Sequence, residues 1–175
     1  MNQISRELKI SVGSAYKILK SLERKGVLVS QKIGNGIYYV LNTDSKEAAS
    51  ITELVLMESR NKSLSKNSLA SIYAKDLRDA EKLSKAIIIF GSILDTRAAK
   101  DVDALFIIDK GKSKAVEDFC LKLSNLRPKR VNPLLMTVVD FKENIKKKDK
   151  VIVDILKRGL ILFGEDVLID ILRGV

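Results

Sequence analysis

The stretch from residue 86 to 108 constrains this chain most. Ala86–Phe90 is an apolar run too short for a helix, and Asp101–Ile108 is a second such run that opens on Asp101-Val102-Asp103. Both read as buried strands. Gly91-Ser92 breaks the first, and eight residues, Ile93–Lys100, separate that break from the acid pair. The pattern then continues with a helix over Lys112–Leu126, placing Val116, Phe119, Cys120 and Leu123 inward. A basic loop (Leu126–Arg130), a strand at Leu134–Val139 and one Lys-rich helix over Phe141–Arg158, stopped by Gly159, follow. An edge strand at Leu160–Phe163 and a last helix at Glu165–Leu172 complete the expectation.

Composition removes whole classes of chemistry. The 175-residue chain has no histidine, which excludes Ser-His-Asp and Cys-His catalysis and Cys/His zinc sites. Its single cysteine, Cys120, excludes an intramolecular disulfide and fits a reducing, cytoplasmic compartment. No apolar run is long enough to cross a bilayer, so no membrane partner is expected. What remains is carboxylates, lysines, hydroxyls, backbone amides and bound hard cations. The net charge of +10 favours polyanionic partners. Residues 1–42 hold seven basic side chains against two acidic ones, so half of that excess lies in a quarter of the chain.

The same 42 residues carry a compact set of local signals. Residues 2–9 read as a short helix with Ile4 and Leu8 inward, and Ile10-Ser11 as a turn in which Ser11 caps the next helix. Residues 12–25 repeat Ala15, Ile18, Leu19 and Leu22 at helical spacing, and Gly26 ends them. Val27–Lys32 and Ile37–Leu41 are β-rich runs around Gly34-Asn35-Gly36, a hairpin signal. Residues 43–50 are polar and small. Two amphipathic helices follow, at 45–60 and 65–84, the second with Leu69, Ile72, Tyr73, Leu77 and Ala80 on one face.

Helix, turn, helix, glycine, strand, turn, strand is the order of a winged helix-turn-helix. Ile10-Ser11-Val12-Gly13-Ser14-Ala15-Tyr16, with Leu19, Leu22 and Lys25-Gly26-Val27, closely resembles the second and third helices of that family. The family places another helix before this pair, and here Met1 falls too late. The expectation is a truncated start, or a later helix or partner subunit filling the gap. The resemblance implies binding of double-stranded DNA, with Ser11, Ser14, Tyr16, Lys17 and Lys20 on the reading helix and Lys32 and Asn35 on the wing. The alternative leaves Lys17 and Lys20 as solvated lysines on a protein-contact module.

Asp101 and Asp103 lie two apart on a strand, so both leave the same face. Two converging carboxylates offer hard oxygens to Mg²⁺. Gly91 lets a phosphate approach the backbone, and Ser92 can donate its hydroxyl and an amide at a helix N-terminus. The alternative is a surface turn with two solvated aspartates. Strand, Gly-Ser, short loop, then Asp-x-Asp resembles the signature of the nucleotidyltransferases of the DNA polymerase beta superfamily. That resemblance implies catalytic and metal-binding roles for Asp101 and Asp103, and nucleotide binding by Gly91 and Ser92. The implied cofactors are Mg²⁺ and ATP or another NTP. Active members add a third carboxylate on the next long strand. No acid lies in Asn132–Val139; Asp140 follows it, and Asp95 reads either as a loop turn residue or as a substitute acid.

The expected fold is therefore α+β: a winged helix-turn-helix over 1–43, bridging helices over 44–84, and a nucleotidyltransferase-like α/β domain with a small mixed sheet over 85–175. The expected function is a homodimeric DNA-binding transcriptional regulator whose second domain binds Mg-nucleotide. The rival is an antitoxin-like nucleotidyltransferase, moving NMP from ATP to a protein, RNA or small-molecule hydroxyl, or a partner that masks a toxin-like protein.

Overall fold

The computed structural model describes residues 2–96 and 98–173. The architecture is α+β, with a two-stranded sheet and a separate four-stranded mixed sheet. The chain divides into two compact units, Met1–Leu54 and Val55–Val175.

In the first unit, α1 spans Asn2–Leu8 and α2 spans Val12–Arg24. Lys9 turns into the left-handed region (φ 53°), and buried Ser5 donates its hydroxyl to the Ile10 carbonyl at 2.7 Å, which fixes the corner. Ser11 caps α2 by accepting from the Ser14 amide. At the other end Gly26 adopts φ 71°, its amide donates to Glu23, and the Val27 amide donates to Leu22. These two bonds form a Schellman closure, which favours glycine at this position. Strands β1 (Leu28–Ile33) and β2 (Gly36–Leu41) pair antiparallel, with only Gly34 and Asn35 between them. The unit's fully buried apolar side chains are few: Ala15, Leu19, Val27 and Ala48. Two expectations fail here. Leu8 is 60% and Ile18 48% exposed, because α1, α2 and the hairpin converge on the narrow strip of Ala15 and Leu19.

Helix α3 (Lys46–Lys66) is longer than the expected 45–60 segment. Helix α4 (Ser68–Arg78) follows and passes into a 3₁₀ turn at Asp79–Leu83, so the expected second helix ends in a different geometry. Of its expected inward face, Tyr73, Leu77 and Ala80 are buried. Ile72 is exposed, and Ala70 and Ala74 take the buried positions.

The second unit is built on β3 (Ala86–Phe90), β4 (Asp101–Ile108), β5 (Arg130–Thr137) and β6 (Leu160–Phe163), in the order β5-β4-β3-β6. β4 and β5 run parallel, joined through α5 (Ser113–Leu126); the other pairs are antiparallel. Alternate residues of β3 and β4 point to opposite layers. Ile87, Ile89, Ala104 and Phe106 join Tyr73, Leu77, Val116 and Cys120 in one core. Ala86, Ile88, Leu105 and Ile107 join Phe141, Ile152, Ile155 and Leu168 in the other. The central strands are thus apolar on both faces.

Two boundaries differ from the sequence pattern. β5 begins at Arg130 rather than Leu134, with Pro133 inside it opposite Ala104. An edge strand tolerates a proline whose missing N–H faces away from the ladder. The strand stops at Thr137, which caps the next helix. The single helix expected over Phe141–Arg158 is two, α6 (Val138–Lys146) and α7 (Lys150–Arg158). Lys148 takes φ 54°, and the Asp149 carboxylate accepts from the Val151 and Ile152 amides, starting a new helix. Helix α8 spans Glu165–Arg173.

Candidate functional site

The acid pair sits where three strands bring their ends together. Antiparallel register sets Phe90 opposite Asp103, so the chain turns at Gly91 directly beside that carboxylate. Gly91 has φ 77°, and a Cβ there would lie 2.7 Å from Asp103 Oδ2. A side chain would push the acid aside, and φ 77° is itself strained for any L side chain, so this position favours glycine. Parallel register sets Asn132 opposite Asp103 on the neighbouring strand. Its Nδ2 donates to Asp101 Oδ2 at 2.9 Å and to Asp103 Oδ1 at 3.4 Å. Asp101, Asp103 and Asn132 are all half-buried.

One carboxamide thus bridges both carboxylates. Asn132 brings an amide to the pair, and an amide neither carries negative charge to a cation nor accepts a proton. Among the described residues no group of three or more acids or cysteines could hold a metal. The two carboxylates suit a single hard cation whose remaining positions go to water or phosphate oxygen, whereas Asn132 turns its NH2 to them and supplies no oxygen ligand. The two other acids considered from the sequence have separate roles. Asp140 forms a capping box with Thr137, whose hydroxyl bond holds the Asp140 carboxyl below the usual carboxylate range. Asp95 ends the turn after Ser92 and is exposed.

Ser92 is exposed in a four-residue 3₁₀ turn, Gly91–Leu94, rather than at the start of a full helix, so the expected helix N-terminus is missing at this point. Its carbonyl accepts from the Asp95 and Thr96 amides. A groove of about 260 Å³ opens here, lined by Phe90, Gly91, Ser92 and Leu94 on one side and Asp95, Asp154 and Arg158 on the other. Arg158 clamps Asp154 with two bonds, of 2.8 and 2.7 Å, which holds the Asp154 carboxyl low. Of the basic loop, Arg127 grips Asp76 at 2.6 and 2.9 Å, and Lys129 donates to the Ala99 carbonyl. Those two cations are therefore spent inside the fold.

In the first unit, Gly13, Lys17, Lys20 and Arg24 recur at helical spacing on the side of α2 opposite Ala15 and Leu19. Lys17 and Arg24 are exposed and form no ion pair among the described residues. Lys20 is drawn to Glu23 at 2.7 Å, and Glu23 also accepts from Ser30 on β1, so this lysine is tied to the hairpin. Ser11 and Ser14 bond each other in the cap, and Tyr16 is 46% exposed on the flank. Lys32 and Asn35 are exposed on the hairpin, Asn35 at its tip.

Asn132, Asp154, Arg158 and Arg24 were missed by sequence reasoning. Asn132 lay just before the expected strand at Leu134–Val139, and its pairing with the two acids required the parallel register. Comparison with family models, curated proteins and solved structures finds no match for this chain. No helix among the described residues is long and apolar enough to cross a membrane.

Proposed function

We propose that this protein is a DNA-binding regulator, with α2 as the reading helix and the β1–β2 hairpin as the wing, and that its second unit is a nucleotidyltransferase-like domain that binds Mg-nucleotide. The observation that carries the DNA reading is the outward face of α2. Lys17 and Arg24 stand there without acidic partners, at the spacing of one helix face, over a helix held at both ends by side-chain and Schellman caps. Such a face suits phosphate and base-edge contacts in the major groove. Lys32 and Asn35 would reach the adjacent backbone. A homodimer would set two such helices about 34 Å apart, one turn of duplex.

The nucleotide reading is supported by the packing of Gly91 against Asp103. Asp101 and Asp103 would hold the cation, and Ser92 would donate to the phosphate tail. The cation supplies the positive charge that lets a polyphosphate approach two carboxylates. Asn132 keeps the two acids side by side but provides no base, so binding without turnover is the favoured outcome.

Gel shifts over a series of salt concentrations test the first claim. A Lys17→Ala, Arg24→Ala double variant should bind at least tenfold more weakly, and its log–log salt slope should fall by about two. No DNA affinity at low salt would end the DNA reading. Calorimetry with Mg-ATP tests the second. The parent should bind and the Asp101→Asn, Asp103→Asn variant should not; equal heats from both would remove these aspartates from the site.

A further inference from the structure

Outside the first 42 residues the charge excess has its own address. Residues 142–158 carry seven Lys or Arg against Glu143, Asp149 and Asp154, a net +4 of the +5 held by residues 43–175. In sequence this resembles a solvated lysine-rich helix. The break between α6 and α7 changes that. Lys148, Lys150, Val153, Asp154 and Lys157 line one open concavity of about 340 Å³. Asp154 also borders the groove at Gly91-Ser92, so the two hollows share a wall. Asp154 is already clamped by Arg158, whereas Lys148, Lys150 and Lys157 form no ion pair among the described residues. Helix α7 packs Ile152 and Ile155 on the same sheet face as Leu105 and Ile107, the face from which Asp101 and Asp103 also project by strand alternation.

From this we infer a second nucleic-acid site: the α6–α7 corner binds the phosphate backbone of a single strand, whose end lies in the groove beside Gly91 and Ser92. Lys148, Lys150 and Lys157 are exposed around a shallow, open concavity that continues into a second one, and a flexible phosphodiester chain can follow that curved path where a stiff duplex cannot. Phe90 lines the inner groove and offers one base a stacking face. A lipid surface fits less well, because α7 turns Ile152 and Ile155 into the core and leaves Val151 as its one strongly exposed apolar side chain, too little for insertion. This site uses none of the α2 residues and does not depend on nucleotide binding at Asp101 and Asp103.

Fluorescence anisotropy with a labelled single-stranded 12-mer, on the full chain at several salt concentrations, tests it. The parent should bind. A Lys148→Gln, Lys150→Gln, Lys157→Gln variant, checked by its thermal melt to be folded, should bind at least tenfold more weakly at 0.1 M salt. Its salt slope should drop by about two, from roughly 0.7 per lost contact. The α2 double variant should bind the single strand within twofold of the parent. Unchanged affinity in the lysine variant overturns the site, and so does a loss of single-strand binding in the α2 variant alone. A lysine variant that loses anionic vesicles but keeps the oligonucleotide would assign the surface to lipid and overturn it equally.

Discussion

The two units solve the burial problem differently. Residues 55–175 enclose a sheet between two layers of helices, with Phe106, Leu105, Ile87 and Ile88 at or below 1% exposure. Residues 1–54 bury mostly alanine, leucine and valine, while Leu8, Val12, Ile18, Ile33, Ile37 and Tyr38 stand 46–60% exposed. The first unit is held largely by local devices: a cap, a Schellman closure, a two-residue turn and the Asn42 amide bonded to the Gly26 carbonyl at 2.9 Å. The second is held by side chains far apart in sequence. Local devices fix a short helix and hairpin cheaply, but only non-local packing yields a deep core.

Measurements on both units would break or sharpen that contrast. The largest effect belongs to Phe106→Ala, which should cost about 3–5 kcal/mol in denaturant unfolding. Leu19→Ala in the first unit should cost less, about 2–3 kcal/mol, because its surroundings are thinner and collapse more easily. Equal losses would undo the comparison. In native-state hydrogen exchange, amides of β1 and β2 should open at lower free energy than those of β3 and β4.

Arg60→Met comes next. Arg60 and Glu165 form a buried pair in the second unit, and Arg60 also donates to the Leu162 carbonyl at 2.7 Å. Removing the guanidinium strands a buried carboxylate and should cost about 3 kcal/mol, most of which the Arg60→Met, Glu165→Met double variant should restore. Failure of the double variant to recover would mean that the carbonyl bond matters more than the charge. Ser11→Ala should cost about 1 kcal/mol, read as fraying at the start of α2 by exchange of the Ser14 amide. An unchanged Ser14 amide would deny the cap its role.

Cys120 gives the smallest effect. Burial pushes its thiol up to about 12, from an ordinary value of 9.0. A raised value favours the thiol in the folded chain. That contribution is therefore complete below pH 9 and fades as pH rises toward 12. At pH 8 a thiol reagent should label Cys120 only after unfolding; rapid labelling of the native chain would show that this core opens readily.

Much of the second unit was legible because its signals are local and redundant. Ala86–Phe90, Asp101–Ile108 and Leu160–Phe163 are apolar runs with abrupt ends, and the observed strands share those limits. The helix expected over Lys112–Leu126 starts one residue later. Other features had no local signature. The split between α6 and α7 lies inside a run of good helix formers, where Asp149 as a cap competes with Asp149 as an interior residue. The early start of β5 was hidden by Pro133, whose tolerance depends on the strand being at an edge. Leu8, Ile18 and Ile72 follow a helical period but face outward, because periodicity identifies a face without saying what covers it.

For the candidate site the division is sharper. Strand alternation alone placed Asp101 and Asp103 on one face, and the Gly-Ser break alone marked a bend after β3. Tertiary structure decided that the bend lies against Asp103, that Asn132 bridges the two acids, and that Arg158 from a helix fifty residues on closes the groove. The sequence by itself settled which residues could form strands, caps and turns, since those depend on neighbours within a few positions. Strand register and helix placement settled which charges meet, since that depends on how distant segments pack.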